Sequence, residues 1–287
     1  MSVASNSWSA AVDVGERALA RYRDLRDPLG IPRAKHLVGT ALLHHHGRTA
    51  EAEPLLQDAL DGFRPFGEGR YVGFSLARLA FVRGRERDFA AARTHHAEAL
   101  AIFKTLGAAR GAAIVASNLA EVEFLAGDAE AALRLAADAL ATYRVLKYTN
   151  IVTHALVNIA GYLVALTRYD EARAHAREAL ELARELELET IAVSAIQHLA
   201  AVAALKPQSE VERTSQVRAT GARLTGFVDA RLDALQIERE SDYTEQQEYD
   251  RVLAALRGWT TDENLADLMA SGAAMNVERA IEEALTI

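Results

Sequence analysis

The chain has 287 residues, of which 50% are hydrophobic and 25% charged, and its formal net charge is −8. This acidic balance argues against a general affinity for nucleic acid or for anionic membranes. There is no cysteine, which excludes disulfides, thiolate catalysis and thiolate metal sites. Neither a membrane span nor a signal peptide is recognisable, so we expect a cytoplasmic protein.

The predicted elements are helices throughout, and the first spans residues 8–25. It reads as the second helix of a hairpin that lacks its first, and we expect it to act as an N-terminal cap or half-repeat. Pro28 and Gly30 then interrupt the chain. Four hairpins follow. The turns inside them are short, at Gly47, Gly84 to Arg87, Gly127-Asp128 and Thr167-Arg168. Their helices are predicted at 32–46 and 50–65, 72–84 and 88–105, 110–126 and 129–146, and 150–166 and 169–187.

The rest of the chain is predicted to be a degenerate fifth hairpin and a helical tail. The hairpin helices span 189–205 and about 209–235, and residues 237–247 form a loop and a helix start. Asn276 is a plausible N-cap of the last helix. We expect the tail to close the open end of the array, because terminal repeats need a capping element. The tail helices are predicted at 244–258, 262–271 and 276–285.

A pattern of small residues returns every 40 residues. Ala172, Ala179 and Leu180 repeat at 40, 80 and 120 residues earlier, and a second set keeps the same phase. Periods of this length indicate stacked helical hairpins. Small side chains allow two helices to approach to about 8 Å, so we expect these alanines at the contact within each hairpin. The second set is Ala80, Ala120, Ala160 and Ala200.

The repeat resembles the tetratricopeptide repeat. The resemblance rests on a leucine–small pair, a turn glycine and two alanines, at Leu119-Ala120, Gly127, Ala132 and Ala139. Residues 159–179 match again, whereas the first repeat has Gly39-Thr40 in place of the leucine–small pair. The 40-residue period exceeds the usual length of about 34 residues.

This longer repeat is similar to the repeats in the regulatory halves of bacterial multidomain ATPases and transcriptional activators. The C-terminal tail also resembles the tail of those regulators. The matching segments are Ala222-Arg223-Leu224 with Gly226, residues 249–257, and Gly272 with residues 275–280. The chain contains no GxxxxGK[ST] loop, so a nucleotide-binding module is not part of it.

The resemblance implies a concave groove lined by the first helix of each hairpin. Asn118 and Asn158 match an asparagine that binds the ligand backbone in peptide-binding members. One interpretation is a groove for an extended or helical segment of a partner. The other is that its apolar residues pack against neighbouring hairpins or the tail. The groove positions are Leu37, His44, Phe74, Arg78, Phe81, Asn118, Glu121, Phe124, His154 and Asn158.

Metal and catalytic sites are not expected. Consecutive histidines, as in 44–46 and 95–96, point about 100° apart on a helix and lack a completing ligand. His154, His175 and His198 look isolated, and each is interpreted as an ordinary helix residue. The acidic residues mix with arginines at helical spacing, which is typical of a solvated helix face.

Together these patterns predict an all-α, right-handed superhelical solenoid of antiparallel helix hairpins. Its parts are a cap or half-repeat (1–30), a repeat array (31–205), and a degenerate last repeat with a helical cap (206–287). We expect a non-catalytic scaffold without cofactor that binds a protein or peptide in the groove, as a monomer or weak homodimer. The alternative is the signal-sensing part of a transcription regulator or signalling ATPase that lacks its nucleotide-binding module.

Overall fold

The structure is a computed structural model that describes residues 3–43, 48–207, 211–237 and 244–287. These residues form fourteen α-helices and no strand, which confirms the all-α prediction. Among them, no helix combines the length and the apolar character needed to cross a membrane. The chain divides into two compact units, Met1–Ala126 and Gly127–Ile287.

The first unit contains six of these helices. The pairs α2 with α3 and α4 with α5 form hairpins, and α1 packs on α2. The first helices α2, α4 and α6 lie side by side, because α4 contacts both of the others. Helix α1 begins at Val3, earlier than the predicted start at Trp8. The bounds are α1 (Val3–Asp24), α2 (Gly30–Leu43), α3 (Thr49–Phe63), α4 (Gly69–Arg85), α5 (Phe89–Thr105) and α6 (Ala109–Leu125).

The second unit contains the other eight. Helices α8 and α9 form one hairpin and α10 and α11 the next, with α7 packed on α8. In the tail, α12 packs mainly on α10, α13 lies along α11, and α14 contacts both α10 and α11. The bounds are α7 (Ala129–Val145), α8 (Thr149–Ala165), α9 (Tyr169–Glu185), α10 (Glu189–Leu205), α11 (Val211–Leu235), α12 (Thr244–Trp259), α13 (Asp262–Ala273) and α14 (Val277–Ala284).

The 40-residue period is visible in the helix bounds. Helices α4, α6, α8 and α10 begin at residues 69, 109, 149 and 189, and each has 17 residues. A left-handed residue with φ between 55° and 91° follows a helix every 20 residues from Gly67 to Glu187. After five of these residues the next amide donates to a carbonyl five residues back, as in Asp88 N to Arg83 O at 2.9 Å. The predicted turn glycine Gly84 lies inside α4 instead, and Gly47 is outside the described residues.

The repeated alanines are buried as predicted. Ala80, Ala120 and Ala160 have no exposed surface, and the paired alanines of the second helices are exposed by 1% or less. In the first hairpin Gly39 takes part in this contact, because a Cβ there would lie 2.8 Å from Leu56 Cγ and 3.2 Å from Ala52 O. The small residues therefore let the helices of a hairpin approach closely. The buried alanines of the second helices are Ala52, Ala59, Ala92, Ala99, Ala132, Ala139, Ala172 and Ala179.

Two glycines bring α11 and α13 into backbone contact. A Cβ on Gly226 would lie 2.1 Å from Met269 O, and one on Gly272 would lie 1.7 Å from Arg223 O. A side chain at either position has no room, so this crossing requires glycine. Asn276 caps α14 as predicted, since its Oδ1 accepts from Arg279 N at 2.9 Å.

Candidate partner-binding faces

Most of the predicted groove residues lie on the adjacent helices α2, α4 and α6 of the first unit. Leu37 on α2 is 46% exposed. Helix α4 carries Phe74, Arg78 and Phe81, which share one side of the helix by their spacing. These three residues are half-buried, as are the three predicted residues on α6, Asn118, Glu121 and Phe124. His44 lies outside the described residues.

Arg78 is a charged residue in a largely apolar setting. It is half-buried, and burial lowers the pKa of its guanidinium. Within the described part of the chain, it has neither a hydrogen bond nor an ion pair. An arginine that loses water without gaining a partner costs free energy, because its donors are only partly satisfied. A ligand that supplies an acceptor at this point therefore recovers that cost.

The two phenylalanines on α4 serve the core as well as the surface. Phe74 contacts the buried Phe103 ring at a centroid distance of 4.9 Å. Both Phe74 and Phe81 pack against the core cluster of the first unit. These two side chains therefore pack within the first unit, and only their half-buried edges are left for a partner.

A neighbouring aromatic cluster was not predicted from the sequence. His36 on α2 lies 3.0 Å from Ser75 Oγ through Nδ1 and meets Tyr71 edge-on at 6.2 Å. Burial, with a smaller effect of the Arg78 charge, lowers the pKa of His36 to about 4. The imidazole is therefore neutral at pH 7. The repeat offered a signal, because Ser75 follows His36 by nearly one period.

In the second unit the predicted residues lie on α8. His154 and Asn158 are both exposed there, and burial lowers the pKa of His154. The neighbouring first helix, α10, differs, because α12 of the tail packs on it. The tail therefore covers part of the first-helix surface in this unit, as one of the two interpretations expected.

The interpretation of His198 as an isolated helix residue is wrong. His198 on α10 is 7% exposed, and its Nδ1 lies 3.0 and 3.1 Å from the two carboxylate oxygens of Glu248 on α12. An ionised carboxylate only accepts hydrogen bonds, so Nδ1 carries the proton. Gly161 of α8 leaves room for the ring, since a Cβ there would lie 3.0 Å from His198 Cε1. The partner was missed because it lies 50 residues away and outside the repeat.

The repeat places Arg78, Asn118, Asn158 and His198 at one equivalent position, since they are spaced by 40 residues. At the last of these, a carboxylate from the tail approaches the side chain. The sequence contained a signal for this cover. Helix α10 is apolar on nearly all sides, and twelve of its residues are buried, which is typical of a helix surrounded by protein.

The other histidines among the described residues do not form a metal site. His96 on α5 is fully buried, and neither ring nitrogen has a hydrogen-bond partner among the residues described. Burial lowers its pKa to about 4, so the ring is neutral at pH 7. Across the described ranges, no group of three or more His, Cys, Asp or Glu side chains is placed to hold a metal ion. The histidines at 44–46 lie outside those ranges.

Comparison with solved structures is consistent with this architecture. BtubC (BKLC) from P. vanneervenii aligns with a TM-score of 0.55 at 17% identity, over 88% of this chain and 92% of that chain. At this identity the likeness concerns the fold alone. A circular tandem repeat protein with novel repeat topology and enhanced subunit contact surfaces aligns over 96% of this chain and 78% of that chain, at 13% identity. Its TM-score of 0.32 is too low to support a similarity of fold.

Family comparison matches the repeats directly. No curated protein matches the chain. Two tetratricopeptide-repeat family models do match, one over residues 72–144 and the other over residues 152–187. Both segments lie where the 40-residue helix pattern is most regular. Residues 72–144 and 152–187 are therefore similar to tetratricopeptide repeats.

Proposed function

We propose that this protein is a non-catalytic scaffold that binds a partner protein on the first-helix face of its first unit. We define this face, the Arg78 face, by Arg78 with Phe74, Phe81 and Asn118. Tetratricopeptide repeats generally mediate protein–protein interaction. The partner segment contributes an acidic side chain to Arg78 and apolar side chains to the phenylalanine edges.

The observation that carries this proposal is the guanidinium of Arg78, which has neither a hydrogen bond nor an ion pair among the described residues. It is half-buried between Phe74 and Phe81 of the same helix side. His198, at the equivalent repeat position in the second unit, is hydrogen-bonded to the carboxylate of Glu248. A carboxylate is also the natural ligand of arginine, because two parallel N–H bonds match its two oxygens. An acidic partner is therefore favoured over a basic or purely apolar one.

The test is selection of a random peptide library on the full chain. Peptides retained by the wild type should be enriched in Asp and Glu. The Arg78→Met variant keeps the length of the side chain and removes its charge, so this enrichment should disappear. Phe81→Ala should reduce overall retention while leaving the acidic preference in place.

Arg70→Met is the matched control, because Arg70 is an exposed arginine on the same helix. This variant should retain the wild-type peptides. Identical selections by the wild type and Arg78→Met would contradict the proposal. So would an acidic preference that Arg70→Met abolishes equally, since general surface charge would then explain it.

The alternative role, as the sensing part of a transcription regulator or signalling ATPase, stays a prediction. Within the described residues, no feature specifically favours it over the scaffold. The two roles are compatible, since a sensor that binds a partner segment on the Arg78 face would give the same peptide selection.

A further inference from the structure

One face of α10, a first helix of the repeat, is covered by a helix of the same chain. Gln197 and His198 on this face are the repeat equivalents of Val157 and Asn158 on α8. Asn158 is exposed, whereas His198 is buried against Glu248. We call this surface the α10 face and define it by Gln197, His198 and Ala201. Its cover by α12 shows that a helix fits it.

The contact side of α12 is a single stripe. Glu248, Val252 and Leu256 are spaced by four residues and are 7%, 4% and 0% exposed. This spacing places them on one side of the helix, one turn apart. The carboxylate accepts from His198 Nδ1, and Gln197 Nε2 lies 3.5 Å from the same group. The stripe therefore reads as a carboxylate followed by apolar side chains one and two turns later.

The helices on either side of α12 are anchored independently of it. Helix α13 is in backbone contact with α11 through Gly226 and Gly272. Helix α14 is tied to α11 by Arg223, whose Nε donates to Glu283 Oε1 at 2.6 Å. Helix α12 contacts mainly α10, with lesser contacts to α8 and α13, and Tyr249 OH donates to Asp229 Oδ2 of α11 at 2.8 Å. Release of α12 from the α10 face breaks this bond, but the contacts that join α11 to α13 and α14 do not depend on α12.

The chemistry of the contact suits an exchangeable helix. A buried hydrogen bond to a carboxylate fixes the register of two helices, but the cost of removing both polar groups from water offsets much of its attraction. An apolar pair of the same size adds stability without that cost. The pair of His198 and Glu248 is thus better suited to recognition than to permanent cohesion.

We propose that the α10 face binds an amphipathic helix of a partner protein, and that α12 occupies this face when the partner is absent. The partner helix presents a carboxylate to His198 and apolar side chains one and two turns later, in the pattern of Glu248, Val252 and Leu256. This surface lies in the second unit, so the proposal is independent of the one for the Arg78 face.

The experiment uses a fluorescent peptide of residues 244–259 as the probe and the full chain as the receptor. The double variant Glu248→Gln/Leu256→Ala weakens the resident helix. It should bind the peptide at least about tenfold more tightly than the wild type, because the face is then vacant more often. A peptide carrying Glu248→Gln should bind this variant at least about fivefold more weakly than the wild-type peptide. Its amide is a weaker acceptor for His198 Nδ1 than the carboxylate is.

The control is the full chain with Asp250→Asn, which changes an exposed carboxylate of the same helix. It should bind the peptide no better than the wild type. The inference is overturned if the double variant binds neither peptide, or binds both equally. If the double variant does not fold, hydrogen exchange of the wild-type chain is measured instead. Amides of α12 should exchange at least about tenfold faster than those of α11 and α13, and exchange at the same rate would refute the inference.

Discussion

The Arg78 face and the α10 face carry the same repeat position in opposite states. Arg78 is half-buried and has no partner in the described part of the chain, whereas His198 is buried against Glu248. The difference arises from the tail, which supplies α12 to the α10 face. A repeat array thus offers equivalent surfaces, and elements outside the repeat decide which of them are occupied.

The same contrast applies to histidines that are withdrawn from solvent. In the first unit the half-buried His36 and the buried His96 have pKa values lowered to about 4, and His96 has no hydrogen-bond partner among the described residues. In the second unit the buried His198 is hydrogen-bonded to a carboxylate. His36 and His96 are therefore neutral at pH 7, whereas the second unit supplies its buried histidine with an acceptor.

The largest effect on stability should come from disrupting the backbone contact between α11 and α13, next to the α10 face. Gly272→Val places a side chain where a Cβ alone would lie 1.7 Å from Arg223 O. Helices α11 and α13 must then separate, so we expect a loss of about 3 kcal/mol or more in the free energy of unfolding. Urea denaturation measures it. Gly258→Ala is the control, because a Cβ there meets nothing within 4 Å; this change should be neutral or slightly stabilising.

Acid should destabilise the protein through the neutral histidines. The pKa values of His36 and His96 are about 4 in the folded chain and about 6.5 when unfolded. The unfolded state therefore binds protons more readily between pH 6.5 and pH 4, and stability present above this window is lost as pH falls through it. Between pH 7 and pH 5 the loss is about 2 kcal/mol per histidine.

His96→Leu should reduce this pH dependence. Urea denaturation at pH 7 and pH 5 should show a smaller loss for the variant than for the wild type, by about 2 kcal/mol. An equal loss in both proteins would mean that His96 does not contribute to the acid sensitivity.

Removing the tail carboxylate tests how much the contact with Glu248 contributes to the difference between the two faces. Glu248→Ala leaves His198 without its acceptor, so we expect the free energy of unfolding to fall by about 2 kcal/mol. Asp250→Asn on the exposed side of α12 should change it by less than about 0.5 kcal/mol. Equal effects of the two substitutions would show that the buried pair has no special role.

The smallest effect is expected at the Arg78 face, and its sign is opposite. Arg78→Met removes a guanidinium that is partly desolvated and unpaired within the described residues, and it adds apolar contact. We expect a gain of about 1 kcal/mol in the free energy of unfolding. Thermal denaturation of this variant and of Arg70→Met compares the two arginines. A loss of stability in Arg78→Met would mean that the guanidinium is already satisfied in the folded chain.

The helices were predictable from the sequence because their signals are local. Asp128 marks the start of α7, where its carboxylate accepts from Ala131 N at 2.9 Å, and Gly127 supplies the left-handed turn before it. The left-handed residues Arg87 and Thr167 lie in predicted turns, but neither they nor Lys147 is of a type that favours this conformation. There the repeat imposes a conformation that these residues seldom adopt by themselves.

The candidate faces were predictable only in part. The 40-residue spacing placed Arg78 and Asn118 on adjacent first helices, as the structure has them. It could not show that Arg78 has no partner among the described residues, because partners of a long side chain come from several helices. It also could not find the aromatic cluster of His36 and Tyr71, which depends on how the rings are oriented.

The sequence by itself determined the helical repeat, the helix bounds and the buried alanines, because each follows from spacing along the chain. Only the tertiary structure decided which equivalent faces are covered. Glu248 reaches His198 across 50 residues of sequence, and its stripe with Val252 and Leu256 follows no 40-residue repeat. The physical reason is that burial of a polar side chain depends on what packs against it, and that neighbour belongs to a distant part of the chain.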